Sequence, residues 1–160
     1  PVGLDEEMVS AMAAAGCIGV EIGSDAGTAR MLRRLRKPFG VEAIVKAHEL
    51  FVRHGILDCH TFVLGAFDET AEEAAETLDF VARLDPAAAI FVVFAEDREA
   101  YQIEHARHRA SILALLARVA PLHRGWPVPE LGIRFAPQLT RYLSRVGARG
   151  PAWIHLTRRV

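Results

Sequence analysis

Gly55 to Thr70 reads GILDCHTFVLGAFDET, and the fold turns on this stretch. Gly55 closes a helical pattern. Leu57 to Leu64 then predicts a strand, and Gly65 lets the backbone turn sharply. The acids Asp68 and Glu69 follow, and Thr70 opens the next helix as an N-cap. Strand, glycine, acid and capped helix in that order describe a βα unit of a parallel sheet. Function in such folds gathers where strands end and helices begin.

The pattern recurs on both sides. Upstream, IGVEIGSDAGT (Ile18 to Thr28) is a short strand ending in glycines and Asp25. Downstream, AIFVVFAEDRE (Ala89 to Glu99) is an apolar run ending in Glu96, Asp97 and Glu99. Helical patterns fill the intervals. Asp5 caps the first, ahead of Met8, Val9, Met12 and Ala15, and Gly16 ends it. Thr28 caps a short one that stops before Pro38. Val41 to His54 carries a face of Val41, Ile44, Val45, His48, Phe51 and Val52. Thr70 and Glu73 have capping-box spacing ahead of a stripe of small residues, and Tyr101 to Val119 predicts one long helix. The order αβααβαβα demands parallel strands with right-handed crossovers. Such a chain is an α/β protein, either about half of a TIM-like barrel or an open three-layer sheet. Residues 1–120 hold the βα units. Residues 121–160, with four prolines between Pro121 and Pro137, read as an irregular extension with a short helix over Gln138 to Val146. A last strand is expected at Trp153 to Leu156.

With 160 residues and 51% hydrophobic residues, the chain can bury a core. A net charge of −1 argues against nucleic-acid binding carried by electrostatics. The basic cluster Arg30, Arg33, Arg34, Arg36 and Lys37 reads as a solvated helix face. No apolar run reaches the ~18 residues that a membrane span requires. Cys17 and Cys59 read as free thiols of a cytoplasmic protein. An opening on Pro1 that enters a helix almost at once is expected of a segment of a longer protein.

Few residues carry chemistry. Glu21 and His60 are polar positions inside apolar strands. In a barrel they would face the lumen, where they contact a ligand or else pair with each other. Gly23, Ser24, Asp25 and Gly27 form a glycine-rich loop whose amides can cradle an anion, although a plain tight turn explains the pattern as well. His105 and His108 lie three apart on a helix without a third metal ligand, so we read them as solvent-exposed.

Taken together, these residues resemble the C-terminal half of a radical SAM enzyme core, in the subgroup that often carries a cobalamin-binding domain upstream. That family shows a strand, G-x-E-S-G-S and a helix ending in Lys, placed here on GSDAGT (Gly23 to Thr28) and MLRRLRK ending at Lys37. It continues with Gly-Ile, a strand and G-l-P-g-E-T, here Gly55-Ile56 and GAFDET (Gly65 to Thr70). E-T-L-x-F follows as Glu76 to Phe80. The match runs from about Leu4 to Ala95. Asp25-Ala26 stand where the family has Glu-Ser, Phe67 replaces its proline, and its CxxxCxxC is absent.

The resemblance implies a partial (β/α) barrel that binds S-adenosylmethionine and a [4Fe–4S] cluster at its strand ends. There the cofactor is cleaved to a 5′-deoxyadenosyl radical that acts on a small-molecule or peptide substrate. Glu21, Gly23, Ser24, Asp25, Gly27, His60 and Gly65 are the implied cofactor-contacting residues. Cobalamin would belong to an upstream domain, and the cluster to a CxxxCxxC outside this chain. The competing reading is a non-catalytic α/β binding module on the same half-barrel. For either, an inward apolar face of Ile18, Val20, Phe62, Val63 and Val92 is expected. It would be covered by a second copy in a homodimer or by the tail from Pro121 to Pro151.

Overall fold

A computed structural model describes residues 2–96, 98–133, 137–148, 150 and 152–157. The chain runs α1 (Glu6–Ala14), β1 (Gly19–Asp25), α2 (Ala29–Arg34), α3 (Val41–Arg53), β2 (Leu57–Leu64), α4 (Ala71–Leu84), β3 (Ala88–Val93), α5 (Glu99–Glu104), α6 (Ala106–Val119), α7 (Pro137–Arg145) and α8 (Ala152–Thr157). The strands form one parallel sheet in the order β1-β2-β3. Among the described residues, no helix is long and apolar enough to cross a membrane.

Local chemistry sets the element ends. Asp5 caps α1 through the Met8 amide at 2.8 Å. The Thr70–Glu73 capping box closes both ways at the start of α4. Gly55, at φ +68°, ends α3 in a left-handed conformation that glycine adopts without penalty. The long helix expected at Tyr101 to Val119 is instead two, broken at His105. The His105 ring stacks on Tyr101 at 3.9 Å, and its Nδ1 lies 3.0 Å from the Tyr101 carbonyl, competing with helix hydrogen bonding.

Strand alternation separates two faces. Val20 and Ile22 pack with Val9, Ala47, Leu50 and Phe51 of α1 and α3. Phe62, Leu64, Phe91 and Val93 pack with Leu78 and Val81 of α4 and Ile112 and Leu116 of α6. All the crossover helices therefore lie on one side of the sheet. That is barrel-like curvature rather than the two-sided cover of an open sheet. It also corrects the expected inward face: Val20 and Phe62 belong to the helix side. Val52 and Ile103 are exposed as well, since their helices turn other positions toward the sheet.

The opposite, inner face is covered at its N-terminal end by the tail. Trp153 and Ile154 of α8 pack against Leu57, Cys59, Ala88 and Ile90. The segment expected to be the last strand, Trp153 to Leu156, is thus helical. The contact is close because Gly19 has no side chain. A Cβ there would lie 2.8 Å from both Trp153 and Ile154. The tail also finishes the edge of β3. Ala89 and Phe91 amides donate to Gly125 and Pro127 carbonyls at 2.8 and 3.0 Å, and the Val93 amide donates to Glu130 at 2.8 Å. Trp126 and Val128 enter the main core. Pro151 and Asp97 lie outside the described residues.

Candidate functional site

Asp58 and His60, two apart on β2, point to the same, helix-facing side. His60 Nε2 lies 2.9 Å from Asp58 Oδ2, and His48 Nδ1 of α3 lies 2.7 Å from that same oxygen. The Ala87 amide donates to Asp58 Oδ1 at 3.3 Å. On its other nitrogen, His60 meets Ser24 Oγ at 2.6 Å. Ser24 reaches this position through a β-bulge. Gly23 pairs with Thr61 and Asp25 with Phe62, leaving Ser24 as the extra residue. Ser24, Asp58 and His60 are all buried. Burial alone would raise the Asp58 carboxyl. The hydrogen bonds from His48 and His60 outweigh it and hold the group well below the usual range. The bond to Asp58 raises His48 in turn, against desolvation.

Glu21 lies on the other face, opposite Cys59 in the register. It therefore does not pair with His60, as the sequence had allowed, and His60 does not face the lumen. Glu21 Oε1 instead accepts the Trp153 indole N–H at 2.9 Å. Next to it on this face stands Gly23, where an added Cβ would meet only Asp25 Oδ2, at 3.6 Å. By alternation Thr61, Val63 and Val92 continue this shelf toward the C-terminal ends of the strands.

The glycine-rich loop is mostly a packed turn. Asp25 is left-handed at φ +63° and pairs with Lys37 at 2.5 Å. The Gly27 amide donates to Thr77 Oγ1 at 3.2 Å, and a Cβ on Gly27 would press on Phe80 and Thr77 at 2.9 and 3.0 Å. Gly27 thus lets α4 approach, and its amide is already engaged. Gly65 is left-handed at φ +76° with Ile112 and His108 crowded beside it. Its amide donates to Glu69 Oε2. Glu69 Oε1 has no hydrogen-bond partner among the described residues, and neither has His108 Nε2. Burial pushes the Glu69 carboxyl up to about 7, with nearby Glu73 adding to the rise.

Outside this turn, Arg30 of α2 reaches Asp68 at 2.6 Å and Glu73 at 2.8 Å, and Arg34 reaches Asp68 at 3.0 Å. Part of the basic cluster therefore ties α2 to the start of α4. The Arg34 guanidinium lies 5.3 Å from the Phe67 ring centroid. The sequence had placed His48 on an apolar face and had passed over Asp58. The D-x-H spacing on a strand was the available signal, because alternation sends both side chains to one side.

Parallel strands, helices on one side and polar residues at the strand ends define a half-barrel of the kind that holds cofactors on its inner face. Residues 1–81 match the model of the Radical SAM superfamily, and the chain belongs to that superfamily. Among solved structures, it is similar to the radical S-adenosylmethionine methyltransferase TsrM from Kitasatospora setae with cobalamin and a [4Fe–4S] cluster bound. The identity is 28% over 58% of this chain and 19% of that one, with a TM-score of 0.54. The same enzyme with tryptophan substrate and a SAM analogue gives 29% identity over 57% and 18%, with a TM-score of 0.53. The chain spans about a fifth of the length of these structures. No curated protein matches it.

The residues present do not fit the family's cluster. Cys17 and Cys59 are both free. Cys59 is sealed under α8, and burial pushes its thiol up to about 12, with Glu21 and Asp58 adding to the rise. A site needing three clustered thiolates cannot be built from this pair.

Proposed function

We propose that this chain supplies the S-adenosylmethionine shelf of a radical SAM enzyme, with the cluster held by cysteines outside it. The observation that carries this reading is Glu21, a carboxylate on the inner face beside the side-chain-free Gly23. The family's G-x-E-S-G-S spacing supports it. Gly19, Glu21, Gly23 and Ser24 satisfy that spacing within β1 with one departure, at Ile22, whereas the run from Gly23 departs at Asp25, Ala26 and Thr28. Glu21 would receive the α-ammonium group of the cofactor. Gly23 would let the cofactor lie against backbone, and Thr61, Val63 and Val92 would line its flank. When bound beside the cluster, the cofactor supplies an alkyl radical.

Asp25, Gly27 and Gly65 shape this shelf rather than touch the ligand. Asp25 is held by Lys37, Gly27 by α4, and Gly65 by Glu69. His60 acts from behind the sheet by fixing Ser24. The likeness to a methyltransferase supports methyl transfer to a small molecule as the parent's reaction, with cobalamin bound by a separate domain. A reducing, cytoplasmic setting agrees with two unpaired thiols.

Titration of S-adenosylmethionine into this chain, followed by amide chemical shifts, tests the reading. Shifts should concentrate on Glu21, Gly23, Thr61 and Val63, and Glu21→Gln should weaken binding at least tenfold with unchanged circular dichroism. Shifts confined to the helix-side residues, or an affinity that Glu21→Gln leaves unchanged, would refute the placement.

A further inference from the structure

The helix-facing side of the sheet carries a second site that the cofactor reading does not use. Asp58 and His60 are fixed on one side of β2 by strand alternation. His48 sits four residues after Ile44 on α3, so it shares the face that Ile44 turns to the core. The His48, Asp58 and His60 donor atoms all lie within 4.8 Å of one another. Both imidazole nitrogens aim at one carboxylate oxygen, at 2.7 and 2.9 Å. We propose that His48, Asp58 and His60 form a binding site for a divalent transition-metal ion of the zinc or ferrous class, on the opposite side of the sheet from the cofactor shelf.

The donor chemistry favours such an ion. Two imidazoles and one carboxylate suit zinc, iron, cobalt and nickel, and are the wrong set for calcium or magnesium. Ligand bonds of roughly 2.0–2.2 Å put tetrahedral donor atoms about 3.3 Å apart, so each imidazole needs to draw back from the carboxylate by only about half an ångström, with the two ring nitrogens already within 4.8 Å of each other. Two of the three ligands already have an outer partner that orients them. Ser24 Oγ holds the far nitrogen of His60 at 2.6 Å, and the Ala87 amide holds the second Asp58 oxygen at 3.3 Å. Such outer hydrogen bonds set ring orientation and ligand basicity at metal centres.

The surroundings give the ion one way in. The side chains of His60 and Asp58 are 0% and 2% exposed, while that of His48 is 17% exposed. The ion would arrive past His48 and keep its remaining coordination positions on that side. Each imidazole now shares a proton with Asp58. Metal binding takes the lone pair of the ring nitrogen that faces Asp58, so the proton passes to the other ring nitrogen, facing Ser24 Oγ in His60 and the exposed side in His48, and no other reactant is required.

The test uses the full chain, stripped with a chelator and titrated with Co(II) as the spectroscopic probe and Zn(II) in calorimetry. Visible ligand-field absorbance should saturate at one ion per chain, with the same stoichiometry in calorimetry. Nitrogen-15 NMR of the imidazoles should show the Nε2 of His60 and the Nδ1 of His48 losing their protons. His48→Gln, on the half-exposed helix, should keep the circular dichroism and weaken binding by about 100-fold, and Ser24→Ala by about tenfold. Absence of saturable binding by the folded wild-type chain overturns the proposal and leaves a plain hydrogen-bond cluster. So does binding that His48→Gln leaves unchanged, which would come from His105 and His108, half-buried rather than solvent-exposed as expected, or from other histidines.

Discussion

The two faces of the sheet treat polar groups in opposite ways. On the helix side, Ser24, His60, Asp58 and His48 form a chain of short contacts that reaches solvent through His48. On the inner side, Glu21 accepts the tail's indole N–H, and Gly23 presents open backbone. The helix side spends its polar groups on one another, and the inner side keeps them available. The difference follows from cover. Helices pack over this face and bury Ser24, Asp58 and His60, so these polar groups need protein partners. The inner face is sealed only at one end, by Trp153 and Ile154.

The sharpest way to break this contrast is to remove Asp58. With chelator present, Asp58→Ala strands two imidazoles and the Ala87 amide, and should cost about 3–5 kcal/mol in urea unfolding. A loss below about 1 kcal/mol, the size expected of an exposed pair, would mean that the helix side is not pinned by its polar chain.

Glu69 sharpens the comparison, because it is a buried carboxyl with one oxygen unpartnered. Its folded value is raised from 4.5 to about 7, so the folded chain binds the proton more tightly than the unfolded one. That stabilisation is complete below about pH 4.5 and is lost as pH rises through about 7, a change of about 3 kcal/mol. Glu69→Gln should flatten the decline of stability between pH 5 and 8. An unchanged slope would assign the decline to other groups.

On the inner side, Gly19→Ala places a methyl against Trp153 and Ile154. It should cost about 1–3 kcal/mol and expose the tail to limited proteolysis after residue 148. An unaffected tail would show that α8 is not held by this contact. The smallest effect should come from Arg30→Ala. Arg30 is 41% exposed, and its loss should lower stability by about 0.2–1 kcal/mol, less in high salt.

The order of elements, the parallel pairing and the caps at Asp5, Thr28 and Thr70 were legible in the sequence, because each rests on local chemistry. Half-barrel curvature was legible through the family resemblance and not through alternation, which does not say on which side the crossovers lie. Glu21 and His60 were correctly singled out as polar residues in apolar strands, but their faces were unreadable. β1 carries a bulge, and β2 places polar residues on both faces, Asp58 and His60 on one and Thr61 on the other, which blurs the polar alternation. Gly27 and Gly65 looked like ligand-binding glycines. Packing against α4, whose Thr77 lies fifty residues on, accounts for Gly27, and the buried carboxylate of Glu69, four residues on, accounts for Gly65. The final helix was read as a strand because Trp-Ile-His-Leu has strand-like composition and its partner, Gly19, lies far away in the chain.

The bulge at Ser24 makes β1 sensitive to length rather than to composition. Up to Gly23 odd-numbered residues look inward, and the added residue moves the count by one before Asp25 pairs with Phe62. Deleting a single residue here would restore the regular beat and bring the Asp25 carboxylate to the place where a neutral hydroxyl now meets His60. Adding one would push Ser24 out of reach. β1 ends at Asp25, so either edit acts on the last residues of the strand, where side chains alternate with period two and Ser24 meets His60. The bulge therefore acts as a frame marker. Substitutions along β1 should be judged one side chain at a time, whereas a one-residue insertion or deletion between Gly23 and Asp25 would change which residue meets His60 while leaving Gly19 to Gly23 in register.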